Sequence, residues 1–282
     1  MAQDATSQDA LERTAGIVLA GGRSRRMGSP KAALEWHGST LLRRAAGIVA
    51  RAVDGPVVVV RAPGQELPPL PAGVELADDA RAGHGPLQGI AAGIALVADR
   101  AGVVYVTGVD APLLHPAFVR HVLRSLGADD DVALPRVHGF AQPLAAAYRT
   151  SIAAILEEQI AHERLDTGAL LARLRVRELD RAALLADACV AAFDPALDSL
   201  LNVNEPGDYE AARRRPAPAV TVHPATGGDA LRVRAATLAA ATAAAGVALD
   251  AHVVATLRDH GAVADPQEPL VAGDELTLRR GP

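Results

Sequence analysis

Apolar runs without polar alternation recur along the first two-thirds of the chain, each closed by glycine or an acid. Residues 15–19 read Ala-Gly-Ile-Val-Leu and stop at Ala20, Gly21 and Gly22, which predicts a buried strand feeding a loop. Residues 56–60 (Pro-Val-Val-Val-Val) and 102–107 (Gly-Val-Val-Tyr-Val-Thr) predict two more buried strands, the later one ending at Gly108, Val109 and Asp110. Residues 131–134 and 144–148 are further strand candidates. Ser39 or Thr40 caps a predicted helix through Leu41, Leu42, Ala45, Ile48 and Val49. Gly85 and Pro86 open another helical stretch, from Leu87 to Ala98, and two more are expected near 115–126 and 151–162. The Pro- and Gly-rich segment 62–73 reads as loop. Fully apolar strands interleaved with helices predict an α/β fold, with a mostly parallel sheet covered on both faces. Ligands of such sheets bind beyond the carboxyl ends of the strands, where the glycine loop and Asp110 both fall.

The pattern breaks at residues 213–219, Arg-Arg-Arg-Pro-Ala-Pro-Ala, read as an exposed linker. Residues 1–14 are polar and carry no charged-then-apolar signal pattern, so they are expected to be a disordered tail. The expected organisation is therefore a tail (1–14), a main domain (15–212), a linker (213–219) and a small α+β domain (220–282). The last has a strand-like start at 220–222, an alanine-rich helix over 236–246, and strand-like pieces near 252–257 and 275–279.

Composition narrows the function. Half of the 282 residues are hydrophobic but only 2% aromatic, so the core must be built from Ala, Val, Leu and Ile. A net charge of -5 offers no basic field for a nucleic acid, and the few scattered aromatics offer no stacking platform. Cys189 stands alone, which excludes a disulfide framework and a cysteine metal cluster. No apolar run approaches the ~20 residues of a membrane span. A soluble cytoplasmic protein with no nucleic-acid or membrane partner is expected.

Lys31 is the one lysine among 28 cationic residues. A compact ammonium suits the narrow space between nucleotide phosphates better than a guanidinium fork. It follows the glycine pair and Arg23, Arg25 and Arg26, of which the first two read as a solvated charge run. Gly28 is not followed by Lys-Ser/Thr, so this is no Walker A loop, and no Gly-x-Gly-x-x-Gly follows the strand. Asp110 also reads as an acid preceding a helix, Asn202 and Asn204 as turn residues, and His84, His115, His138 and His162 as surface or capping groups.

Leu19-Ala-Gly-Gly-x-x-x-Arg26-Met-Gly-x-x-Lys31 resembles the signature of the molybdenum cofactor guanylyltransferases, within the nucleotidyltransferase superfamily. Asp79 with Gly85-Pro86-Leu87-x-Gly89, Val109-Asp110-Ala-Pro112, Gln142-Pro143-Leu144 with Tyr148-Arg149, and Asn202-Val-Asn204-Glu-Pro206 resemble later segments in the same order. The resemblance implies a Rossmann-like three-layer domain that transfers GMP from GTP to molybdopterin (the molybdenum cofactor) and releases pyrophosphate. It implies catalytic roles for Lys31, Asp110 and Arg26, and Mg²⁺ on Asp110. It places Leu19, Ala20, Gly21, Gly22, Lys31, Asp79, Gly85, Pro86, Leu87 and Asp110 around the nucleotide. Asp78 is the alternative to Asp79. Gln142, Pro143, Tyr148, Asn202 and Asn204 fall on the pterin side, and molybdopterin-inserting or acceptor proteins are implied as transient partners. Pro30 is reminiscent of the cytidylyltransferases acting on the same pterin, whereas Gly22 and the Gly-Pro-Leu loop favour guanine. A non-catalytic nucleotide- or pterin-binding module and a sugar-1-phosphate nucleotidyltransferase are the other readings. Residues 220–282 resemble the β-grasp sulfur carriers, but the chain closes on Gly281-Pro282 instead of Gly-Gly. A docking or stabilising module is therefore expected instead of a working carrier.

Overall fold

The computed structural model describes residues 13–21, 30–79, 85–224, 228–250 and 252–280. In chain order the strands of the first unit are β1 (Thr14–Leu19), β2 (Glu35–Trp36), β3 (Ser39–Thr40), β4 (Val57–Arg61), β5 (Glu75–Asp78), β6 (Val103–Gly108), β7 (Val132–Val137), β8 (Phe140–Ala141), β9 (Ala145–Arg149) and β10 (Val176–Leu179). The helices are α1 (Leu41–Ala50), α2 (Pro86–Val97), α3 (Pro116–Arg124), α4 (Ala153–Ala161), the short α5 (Thr167–Leu171), α6 (Arg181–Leu185) and α7 (Ala188–Phe193), and α8 (Pro206–Arg214). The second unit holds β11 (Ala219–His223), β12 (Leu231–Arg234), α9 (Leu238–Ala244), β13 (Val253–Leu257), β14 (Gly261–Val263) and β15 (Glu275–Arg280).

The main sheet has the order β10-β7-β9-β6-β1-β4-β5, with β8 paired to β7. β1 runs parallel to β4 and β6, and β4 to β5, whereas β9 is antiparallel to both β6 and β7. The expected mostly parallel α/β sheet is present, with one reversed strand inside it. Its central strands β1, β4 and β6 are largely apolar because both faces are covered. Ile17, Val58 and Val106 pack with Leu87, Ile90 and Ile94 of α2. On the opposite face, Val18, Val59 and Tyr105 pack with Ile48 of α1 and Phe118 of α3. Glycines let both helices approach β1 closely. A Cβ on Gly16 would stand 2.2 Å from Val49 of α1, and one on Gly93 of α2 would stand 2.7 Å from Ile17.

Thr40 caps α1, its hydroxyl accepting from the Arg43 N–H at 3.2 Å. Several boundaries differ from the sequence reading. β1 starts at Thr14, inside the stretch expected to be tail, and residues 1–12 lie outside the described residues. α8 continues through Arg214 and β11 begins at Ala219, so the connection is 215–218. Seven short strands were not anticipated: β2, β3, β5, β8 and β10 in the first unit, and β12 and β14 in the second.

The C-terminal unit is a separate sheet of order β12-β11-β15-β13-β14. β11 and β15 are its parallel central pair, and the other pairings are antiparallel. Val222, Leu238, Leu257, Leu270 and Leu276 form a core of its own. Among the described residues, no helix is long and apolar enough to cross a membrane.

Candidate active site

Leu19 lies opposite Val60 of β4 and Gly108 of β6, so the three strands end at one edge. There the Ala20 and Gly21 N–H groups both donate to Val60 O, at 2.8 and 3.2 Å. The side chains of Leu19 and Ala20 are buried, and Leu19 O accepts from the Val109 N–H at 3.3 Å. A Cβ on Gly21 would stand 3.1 Å from Ala62 N, a close backbone approach that favours glycine. Gln65 braces this turn: its Nε2 donates to Ala20 O at 3.1 Å and its Oε1 accepts from the Ala62 N–H at 3.1 Å. Sequence reasoning missed Gln65, because one glutamine in a Pro- and Gly-rich loop gives no sign of a contact 45 residues away. Gly22 and Arg26 lie outside the described residues.

Lys31 opens a 3₁₀ turn (Lys31–Ala33), and its Nζ lies 3.0 Å from Asp110 Oδ2 and 3.0 Å from Asn204 Oδ1. The Lys31 and Asp110 side chains are 17% and 25% exposed, so the pair is partly shielded yet open to a ligand. Asp110 follows β6 and its Oδ1 folds back over Gly108, where a Cβ would stand 2.5 Å away. Asp110 O accepts from the Val203 N–H at 2.8 Å, which ties the 202–204 segment to the aspartate loop. Asp208 Oδ2 accepts from the Asn204 and Glu205 N–H groups at 3.1 and 3.0 Å, setting the turn into α8. Asn204, expected beside the pterin, is thus the third member of the Lys31 cluster, while Asn202 is exposed next to it. Asp110 is not the cap of α3. His115 is, its Nδ1 accepting from the Ala117 N–H at 3.1 Å.

On the nucleotide side, Gly85 adopts φ +83° ahead of Pro86, the first residue of α2. Leu87 is fully buried, so its side chain belongs to the core and not to a nucleotide contact. Asp78 pairs with Arg61 at 2.7 Å. Asp79, whose N–H donates to Arg61 O at 2.7 Å, continues past β5 toward the ligand edge.

Because β9 is antiparallel to β6, its first residue Ala145 pairs with Thr107. The turn at Gln142 and Pro143 therefore lies at the same edge as Asp110. The Gln142 N–H donates to Pro135 O at 2.9 Å. Tyr148 corrects the sequence reading. It is 1% exposed within the core, and its hydroxyl donates to Pro143 O at 2.8 Å. Burial holds its phenol well above the usual range, and the residue pins the turn from below instead of facing substrate.

Among the described residues, no group of three or more His, Cys, Asp or Glu side chains is arranged to hold a metal ion. A site centred on the single carboxylate of Asp110 fits Mg²⁺ completed by phosphate oxygens and water, and does not fit a structural zinc centre.

A model of the MobA-like NTP transferase domain matches residues 16–182. The chain belongs to this family. A probable molybdenum cofactor guanylyltransferase of Pelotomaculum thermopropionicum is 34% identical over 200 residues, covering 70% of this chain and 91% of that protein. Another from Mycobacterium ulcerans is 40% identical over 160 residues, covering 55% and 78%. The crystal structure of molybdopterin-guanine dinucleotide biosynthesis protein A from Archaeoglobus fulgidus superposes with a TM-score of 0.57 at 25% identity, covering 71% of this chain and 96% of that one. The chain is therefore a MobA-like nucleotidyltransferase. Its matched MobA-like stretch contains Lys31, Asp110, Gln142 and Pro143 but ends before Asn204, which the fold returns to the lysine.

Proposed function

We propose that the chain transfers GMP from GTP to the phosphate of the molybdopterin (molybdenum) cofactor, releasing pyrophosphate. The observation that carries this reading is the meeting of Lys31 with Asp110, 79 residues away, and Asn204, 173 residues away, beside the glycine loop. An oxygen of the pterin phosphate attacks the α-phosphorus of GTP. The bond from that phosphorus to the oxygen bridging to the β-phosphate breaks, and pyrophosphate leaves with the electron pair. Such transfers ask the protein for alignment and charge stabilisation, with little covalent chemistry. The Lys31 ammonium neutralises phosphate charge, and Asn204 with Asp110 fixes its position. Asp110 is the residue that would hold Mg²⁺, whose charge polarises phosphate oxygens when bound.

Backbone at Leu19, Ala20, Gly21, Gly85 and Pro86, with Asp79, lines the nucleotide side. Gln142, Pro143 and Asn202 line the pterin side, Pro143 being held by Tyr148. The guanylyltransferase names of the relatives support guanine over cytosine. The product leaves an open sheet edge, where molybdopterin-inserting or acceptor proteins can collect it. The test is pyrophosphate release by the full chain with the cofactor and GTP, CTP or ATP, with and without Mg²⁺. Release with GTP and Mg²⁺ is expected. Preference for CTP would replace GMP by CMP, and no release with any nucleotide would overturn the reading.

The C-terminal unit supports a β-grasp reading of residues 220–282. A parallel pair made of its first and last strands lies at the centre, and the helix follows the second strand.

A further inference from the structure

We propose that Arg44 is a positioning residue for the Asp110 loop, and that the C-terminal unit acts on nucleotidyl transfer through it. Arg44 sits on α1 with 3% of its surface exposed. Its Nε donates to Pro112 O at 2.6 Å, two residues beyond Asp110. Its Nη1 donates to Ala236 O at 3.4 Å and Leu270 O at 3.2 Å, both in the C-terminal unit. Its guanidinium carbon stands 4.2 Å from the centroid of the buried Trp36 ring. Among the described residues Arg44 makes no ion pair, so carbonyls and an aromatic face satisfy a buried cation. Burial, reinforced by the charge of Arg51, lowers its pKa to about 9, which leaves it charged at neutral pH.

The 110–112 loop is therefore held at both ends, by the Val203 N–H on Asp110 O and by Arg44 on Pro112 O. The C-terminal unit backs both supports. Ala236 and Leu270 orient the guanidinium, and Ala236 packs in one apolar cluster with Trp36 and Val203, the neighbour of Asn204. Removing those carbonyls would leave Nη1 unsatisfied in an apolar site, and the guanidinium would turn toward water and release Pro112.

The unit is also firmly seated. Arg51 grips Asp274 through two bonds of 2.9 and 2.6 Å and Pro269 O through a third of 2.8 Å, with the two side chains 6% and 10% exposed. Arg43 pairs with Asp265. His115 Nδ1 is an acceptor, so Nε2 carries the proton and donates to Ala272 O at 3.0 Å. A Cβ on Gly47 of α1 would stand 2.7 Å from Pro269, so the contact leaves no room for a side chain. β15 begins next to Asp274, at the seat of the unit. A brace fits this arrangement.

The inference rests on the guanylyl-transfer reading. If the wild-type chain fails to release pyrophosphate, that reading fails, and the inference is judged only against an active wild type. With the full chain, Arg44→Met is expected to lower kcat at least tenfold at a temperature where the protein stays folded, leave KM for GTP within twofold, and be partly rescued by Arg44→Lys. Asp274→Asn, which loosens the unit without touching the site, is expected to lower kcat about threefold in the wild type and not further in the Arg44→Met background. Should Arg44→Met not fold, Arg44→Gln enters the same cycle with the same expectation. Full kcat in a folded Arg44 variant, or an equal Asp274→Asn effect in both backgrounds, would overturn the proposal.

Discussion

Two constellations of charge lie on either side of α1's neighbourhood, and they are built differently. At the sheet edge, Lys31, Asp110 and Asn204 meet through single contacts of 3.0 Å with their surfaces partly open. At the seat of the C-terminal unit, Arg51 and Asp274 are nearly buried, and their bonding capacity is largely taken up by each other and by backbone. Charge that stays partly open to water can serve a ligand. Charge that is desolvated and paired serves the fold, and becomes a liability once a partner is removed. Substitutions should therefore separate turnover from stability.

The largest expected effect is on turnover. Asp110→Ala should lower kcat by about 10³-fold or more, as loss of a key charge-stabilising group does in phosphoryl transfer. Its melting temperature should move by only a few degrees, because a partly exposed ion pair contributes little stability. Steady-state pyrophosphate release and calorimetry on one preparation check this. Asp274→Ala should do the reverse, costing about 3–5 kcal/mol in chemical denaturation by stranding Arg51. Turnover at low temperature should stay within tenfold of wild type. A Gly108→Ala variant should fall between the two: the new methyl pushes Asp110 Oδ1 out of place, and a displacement of about 1 Å costs on the order of 10²-fold. Its stability should barely change.

The smallest effect is pH-dependent. Glu268, at the seat of the unit, has its carboxyl pushed up to about 7, chiefly by burial, with Asp265 and Asp274 adding repulsion. A raised folded-state pKa means that the favourable protonated form is fully present below the unfolded value of 4.5 and is lost as pH rises to about 7. Glu268→Gln should therefore raise the melting temperature more at pH 8 than at pH 5. An equal shift at both values would show that the carboxyl is not held in that environment.

The α/β sheet was legible because β1, β4 and β6 are apolar on both faces, a pattern that only burial on both sides explains. The meeting of Lys31 and Asp110 was legible because the motif placed both after strands of one parallel sheet. The reversal of β9 was not, since Ala-Ala-Ala-Tyr-Arg carries no sign of strand direction. Nor was β5, an edge strand reading Glu-Leu-Ala-Asp with half its positions exposed. Tyr148 was misplaced because the resemblance carried it to the pterin side along with Gln142-Pro143, while its burial depends on the helices covering β9. Arg44 was invisible for a different reason. Arginine defaults to the surface, and its partners here are carbonyls from three distant segments, which no residue identity announces.

The central claim is that one ammonium and one carboxylate act on the same triphosphate. A double-mutant cycle on kcat/KM for GTP, with Lys31→Met, Asp110→Asn and the pair, measures this directly. The double variant is expected to lose little more than the worse single one. Losses that multiply, as for two independent sites, would contradict it.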